Sequence, residues 1–102
     1  MAQFDVFRNV KRGNFPLLMD VQTELLATLA TRTVVPLMRK RRGSGGVITR
    51  LNPTIEIEGL EYVAVFQEIA AVPLAILGSN VASCIRQRDE FVRALDLLFT
   101  GI

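Results

Sequence analysis

Hydrophobic and polar positions alternate over residues 3–7, where Phe4 and Val6 flank Asp5 and Phe7 follows, as an opening strand requires. Residues 8–14 then bring charge, asparagine and glycine together, which marks a solvated hairpin loop. A second apolar stretch covers residues 15–26, with Pro16 at its mouth where a missing N–H is tolerated. Residues 27–30 are too few to nucleate a helix and are expected to turn the chain into the next strand. Residues 31–37 are short and rich in β-branched side chains; Pro36 cannot donate to a ladder, so an edge, a bulge or the strand's end is expected there. After Asn52-Pro53, residues 54–58 alternate with a period of two and leave one face wet. Gly59 makes the turn, residues 62–66 return as the hairpin partner, and residues 72–77 give a last apolar run closed by Gly78.

The period changes in the tail. Val81, Ile85, Val92, Leu95 and Phe99 recur at helical spacing, with Cys84, Phe91, Leu98 and Ile102 widening the stripe. A helix is therefore expected over residues 81–99, capped by Ser79, Asn80 or Ser83 and supported by the four-apart pairs Arg86–Glu90 and Asp89–Arg93. Five or more short strands followed by one helix make an α+β chain, mainly β, expected to be a small barrel-like sheet forming one domain over residues 1–102.

Composition changes this picture in two ways. The chain has 102 residues, half of them apolar and 22% charged, and its mean hydropathy is +0.34. That is oily for a monomer, so a second copy is the expected cover for the excess, usually through a two-fold axis. The net charge of +2 is too mild to imply binding to DNA by itself. There is no histidine and a single cysteine, which removes the commonest general base, any CxxC site and any internal disulfide. No metal or cofactor is expected. The first twelve residues carry no apolar signal core, and the uncharged run 69–85 is interrupted by Pro73, Gly78, Ser79 and Asn80. The expectation is a cytoplasmic protein that does not engage a membrane.

Four features carry candidate chemistry. Arg39, Lys40, Arg41 and Arg42 precede Gly43-Ser44-Gly45-Gly46, but the phosphate-loop spacing is missing and no aromatic sits among the charges for base stacking. The run reads as a solvated loop, or as a contact for an acidic disordered partner or RNA. Cys84 on the apolar stripe reads as core rather than as a reactive thiol. Arg32, Asp20, Glu24 and Glu68 are acid–base candidates by type only, each equally explained as a strand-edge or turn charge. The C-terminus keeps Leu95, Leu97, Leu98 and Phe99 where chain ends are normally polar, so this segment is expected to pack or to make contact.

The order and spacing of several short stretches resemble the CcdB family, gyrase-poisoning toxins of bacterial type II toxin–antitoxin systems. They are Gln3-Phe4, Asp20-Val21-Gln22, Arg32-Thr33-Val34-Val35-Pro36-Leu37, Asn52-Pro53, Ala71-Val72-Pro73, Ile76-Leu77-Gly78 and Phe99-Thr100-Gly101-Ile102. The resemblance implies a homodimer of SH3-like barrels, related to the MazF and Kid ribonuclease toxins, with the C-terminal helices near the two-fold axis. It implies a protein that is not an enzyme. Such toxins bind the DNA gyrase A subunit and trap the gyrase–DNA cleavage complex by favouring one conformation of their target.

Carried over position by position, the resemblance assigns gyrase contact to Leu25, Leu26, Arg93, Asp96, Thr100, Gly101 and Ile102. Two helix asparagines of the family are Arg93 and Asp96 here, and its terminal tryptophan is Thr100, which has no ring to stack on a partner's arginine. The cognate antitoxin, through a disordered C-terminal segment, is expected on Arg8, Asn9, Lys11, Arg12, Arg39, Lys40, Arg41, Arg42 and Tyr62. An endoribonuclease on the same fold, or a degenerate relative that binds antitoxin without poisoning gyrase, are the alternatives.

Overall fold

The computed structural model describes residues 2–41 and 50–101; Arg42 and Ile102, both candidate contact residues, lie outside them. The alternating opening becomes β1 (Asp5–Asn9), and the second apolar stretch becomes β2 (Leu17–Asp20) followed by a single 3-10 turn (Glu24–Leu26). β3 (Thr31–Arg39), β4 (Thr54–Ile57), β5 (Leu60–Ala64), β6 (Ala70–Pro73) and β7 (Leu77–Ser83) follow, and α1 (Arg88–Thr100) closes the chain. All pairings are antiparallel, in the order β4-β5-β3-β2-β1-β7 with β6 also on β3. The result is a mainly β, α+β small barrel: among the described residues, a curled sheet of seven strands with one C-terminal helix.

β3 explains the curl. Along one edge it pairs with β2; along the other it pairs with β6 over Thr31 to Val34 and with β5 over Leu37 to Arg39. Pro36 lies inside this strand, buried and opposite Leu18, rather than at an edge, a bulge or the strand's end. Its carbonyl accepts from Val65 N–H at 3.0 Å. A strand residue aims its N–H and C=O to the same side, so the missing donor falls where the neighbour changes from β6 to β5, and no ladder bond is lost.

Phe4, Phe66 and Phe91 stack through the core, with ring centroids 5.1 and 6.0 Å apart. Around them lie Val6, Met19, Val35, Leu37, Ile55 and Ala94, all buried. The helix contributes Phe91 and Ala94 to this core, and burying a phenylalanine fully is worth roughly 1.5–3 kcal/mol. Leu95 packs at its margin.

The helix begins seven residues later than its apolar spacing predicts. Val81 belongs to β7 and Ile85 to a 3-10 turn (Ile85–Gln87), so Ser79, Asn80 and Ser83 cap nothing. Asn80 instead donates to the Asp5 carboxylate at 3.1 Å and accepts from Ala82 N–H, tying β7 to β1. Arg86 is outside the helix, and Asp89 pairs with its neighbour Arg88 at 3.5 Å. Nor does Gly78 close a strand: it sits within β7, where a Cβ would stand 3.0 Å from the Arg8 carbonyl oxygen of β1. Gln87, with no side-chain cap to offer, donates to Thr54 O at 3.1 Å and pins the start of α1 against the edge strand β4.

Candidate partner-binding surfaces

Two of the charges read as strand-edge or turn groups prove to be neither. Asp20 and Arg32 are fully buried and meet at 2.7 Å, with Arg32 Nε donating to the same carboxylate oxygen at 2.9 Å. The other Asp20 oxygen accepts from Gln22 N–H. Arg32 also donates to Gln22 O at 3.1 Å and Leu26 O at 3.4 Å. Gln22 Oε1 in turn accepts from the backbone N–H and the hydroxyl of Thr33, while its amide nitrogen donates to Leu26 O. Among the described residues no buried side-chain nitrogen or oxygen lacks a hydrogen-bond partner, as a buried ion pair requires.

Above this network stands the turn carrying Leu25 and Leu26. Thr23 opens it by accepting from Leu25 N–H at 3.3 Å. Leu25 is 90% exposed and Leu26 45%, with Leu29 also exposed beside them. Adjacent water-facing leucines leave an exposed apolar patch on this turn.

A second region gathers the basic residues. The β1–β2 loop and the end of β3 line a cleft of about 380 Å³, bounded by Gly13, Asn14, Pro16, Met38, Arg39 and Arg41. Asn9 holds the loop from within: its amide nitrogen donates to Arg12 O and Phe15 O, and its carbonyl oxygen accepts from Lys11 N–H. Lys11 and Arg12 are exposed on it, and Arg8 is exposed on β1 just before it. Arg8 reaches Glu58 at 3.8 Å and Lys40 reaches Glu61 at 3.5 Å. Arg39 lies over the ring of its cross-strand partner Tyr62, 5.7 Å from the centroid, and Tyr62 itself is almost wholly buried. The cleft thus joins an uncharged part of the β1–β2 loop, Gly13, Asn14 and Pro16, to the basic end of β3 and Arg41 after it.

The third region is the end of α1. Arg93, Asp96 and Thr100 are exposed, and Phe99 is 70% exposed. Thr100 folds its hydroxyl back onto Asp96 O at 2.7 Å. Gly101 adopts φ +76° and donates to Leu97 O at 3.1 Å, the left-handed stop that glycine tolerates without strain. Among the described residues, no hydrogen bond or ion pair joins this helix end to the Leu25–Leu26 turn.

A family model described as CcdB protein matches residues 3–101. The chain belongs to the CcdB family. It is accordingly a toxin of a toxin–antitoxin system. No helix among the described residues is long and apolar enough to cross a membrane. The CcdB family resemblance carried Leu25, Leu26, Arg39 and Arg41 as contact residues; the geometry adds Gln22 and Arg32 beneath the first pair, and Asn14, Pro16 and Met38 beside the second. Opposite charges flanking the β2–β3 connection were the available signal for Asp20 and Arg32. For the cleft, the resemblance grouped the two segments on one partner, but residue spacing alone gave no signal. The cleft exists only once the β1–β2 loop and the end of β3 are brought together.

Cys84 sits between β7 and the following 3-10 turn rather than on the helix stripe, and it is buried. Burial, reinforced by the nearby Asp5 carboxylate, pushes its thiol up from 9.0 to about 11. A thiol so held is a poor nucleophile at neutral pH.

Proposed function

We propose that the protein poisons DNA gyrase, binding its A subunit and trapping the enzyme with its DNA cleaved, and that it does so by binding alone. The observation that carries this reading is the pair of exposed leucines, Leu25 and Leu26, on a turn held from below by a buried ion pair. A surface of this kind stabilises one conformation of a partner through differential affinity and needs no reacting group. Asp20 and Arg32, the acid–base candidates that meet, are sealed from solvent and out of a substrate's reach, which supports a mechanism without chemistry over RNA cleavage. The exposed Phe99, Leu74 and Leu29 support a two-fold homodimer in which part of this surface is covered. The basic cleft and its rim supply the site for the cognate antitoxin, whose disordered segment would fold as it binds.

The test is a supercoiling and DNA-cleavage assay with gyrase and ATP, run with the protein and with a variant lacking Gly101 and Ile102. Gyrase-linked DNA breaks should accumulate with the first and vanish with the second, while antitoxin binding is retained. Absence of breaks with the intact protein, together with cleavage of RNA, would replace this reading by the ribonuclease one.

A further inference from the structure

Residues 23–30 are all exposed, and none of the 3-10 turn within them is buried. Apolar burial therefore does not fix this loop, although Leu25 and Leu26 are useful to a partner only if they are presented in one arrangement. Its internal bonds are those of short turns: Leu26 N–H to Thr23 O, Ala27 N–H to Glu24 O and Leu29 N–H to Leu26 O. Turns of this length do not persist alone in water. The bonds from the loop to the barrel converge on two side chains. Arg32 grips Gln22 O and Leu26 O from inside the fold, and Gln22 links Leu26 O to Thr33. The far end is tied by Leu74 N–H to Ala30 O, a longer bond at 3.4 Å.

We propose that Arg32, anchored by Asp20, is the positioning residue of the partner surface: its guanidinium holds the 22–30 loop in the arrangement that presents Leu25 and Leu26. This rests on the gyrase reading for the identity of the partner, but not for the hold on the loop. A guanidinium suits the task because its planar fork offers separate donors to the carboxylate and to two carbonyls at once. An ammonium places one nitrogen where the fork has three. Because the grip is polar and local, loosening it lowers affinity by restoring freedom that binding must then remove.

Arg32→Lys keeps a positive charge against Asp20 and removes the fork. Asp20→Asn combined with Arg32→Met removes both charges, so that no ion is left buried alone; it covers the case in which the lysine variant fails to fold. Hydrogen exchange should show the amides of Leu26, Ala27 and Leu29 opening about tenfold faster in either variant, with the β1–β2 and β3–β5 ladders unchanged. Affinity for the gyrase A subunit should fall about tenfold, while affinity for the antitoxin segment, which binds elsewhere, moves less than about twofold. Unchanged loop exchange in the folded variants overturns the role of Arg32, as does a loosened loop that binds gyrase undiminished. Leu25→Ser separates the two readings. If that variant leaves loop exchange and gyrase affinity both intact, the docking role of this turn is wrong and the proposal falls with it; lost affinity with intact exchange supports both.

Discussion

At the residue scale, the same burial that makes Cys84 inert makes it a pH sensor of stability. Its thiol is held protonated up to about 11 in the fold, against an ordinary value of 9.0, chiefly by burial and secondarily by Asp5. The unfolded chain releases that proton sooner, so stability from this group is intact below pH 9 and is lost as pH rises toward 11. The loss is on the order of 2–3 kcal/mol for a shift of about two units. Urea unfolding of the protein and of Cys84→Ala at a series of pH values should show the difference between them shrinking across that window; a constant difference would mean that the thiol is not desolvated. Cys84 was legible as a core residue from its type and company, although its place at the end of a strand was not. Asp20 and Arg32 were legible as residues and illegible as a pair. Charge type predicts exposure, and only the register of β2 on β3, with Asp20 opposite Val34, puts the two side chains within reach.

At the scale of elements, the β4–β5 hairpin was read closely and the helix start was not. In the hairpin, period-two alternation and a glycine agree on one answer, and Ile57 pairs with Leu60 across a two-residue turn. For the helix, Val81 and Ile85 happen to stand four apart in a strand and a turn, and Ser79, Asn80 and Ser83 imitate caps. The true start at Gln87 has no capping side chain to announce it. The hairpin itself keeps one local conflict. Its turn places Glu58 at φ +53° ahead of Gly59 at +78°, a geometry that favours asparagine at the first position. A side chain that is not glycine or asparagine costs about 1–2 kcal/mol in this region. Glu58→Asn should therefore raise stability by about 0.5–1 kcal/mol, read as a higher urea midpoint at unchanged slope. The ion pair it removes is 3.8 Å long with both side chains well exposed, and offsets little of that gain. A lowered midpoint would show that Arg8–Glu58 matters more than the strain.

On the scale of the whole molecule, the charge is distributed far less evenly than a net +2 suggests. Seven of the twelve cations, Arg8, Lys11, Arg12, Arg39, Lys40, Arg41 and Arg42, fall in two short segments that contain no acid. Arg39 and Arg41 of the second segment line a cleft whose other wall is Gly13, Asn14 and Pro16, next to the first segment in sequence, whereas the exposed leucines ride on the β2–β3 connection. Separate surfaces let one partner be tuned without disturbing the other, and the two should respond differently to salt. Exposed charges steer and hold an acidic peptide through a field that is screened within about 8 Å at physiological ionic strength. Apolar contact at Leu25 and Leu26 has no such dependence. Replacing Arg39, Lys40 and Arg41 by glutamine should weaken antitoxin binding about tenfold at roughly 50 mM salt and progressively less toward about 0.5 M, chiefly through a slower association rate. Gyrase affinity should stay where it was at every salt concentration. Equal loss toward both partners would mean that the cleft and the leucine turn are not independent surfaces, and no loss toward the antitoxin at any salt would return the basic run to a solvated loop.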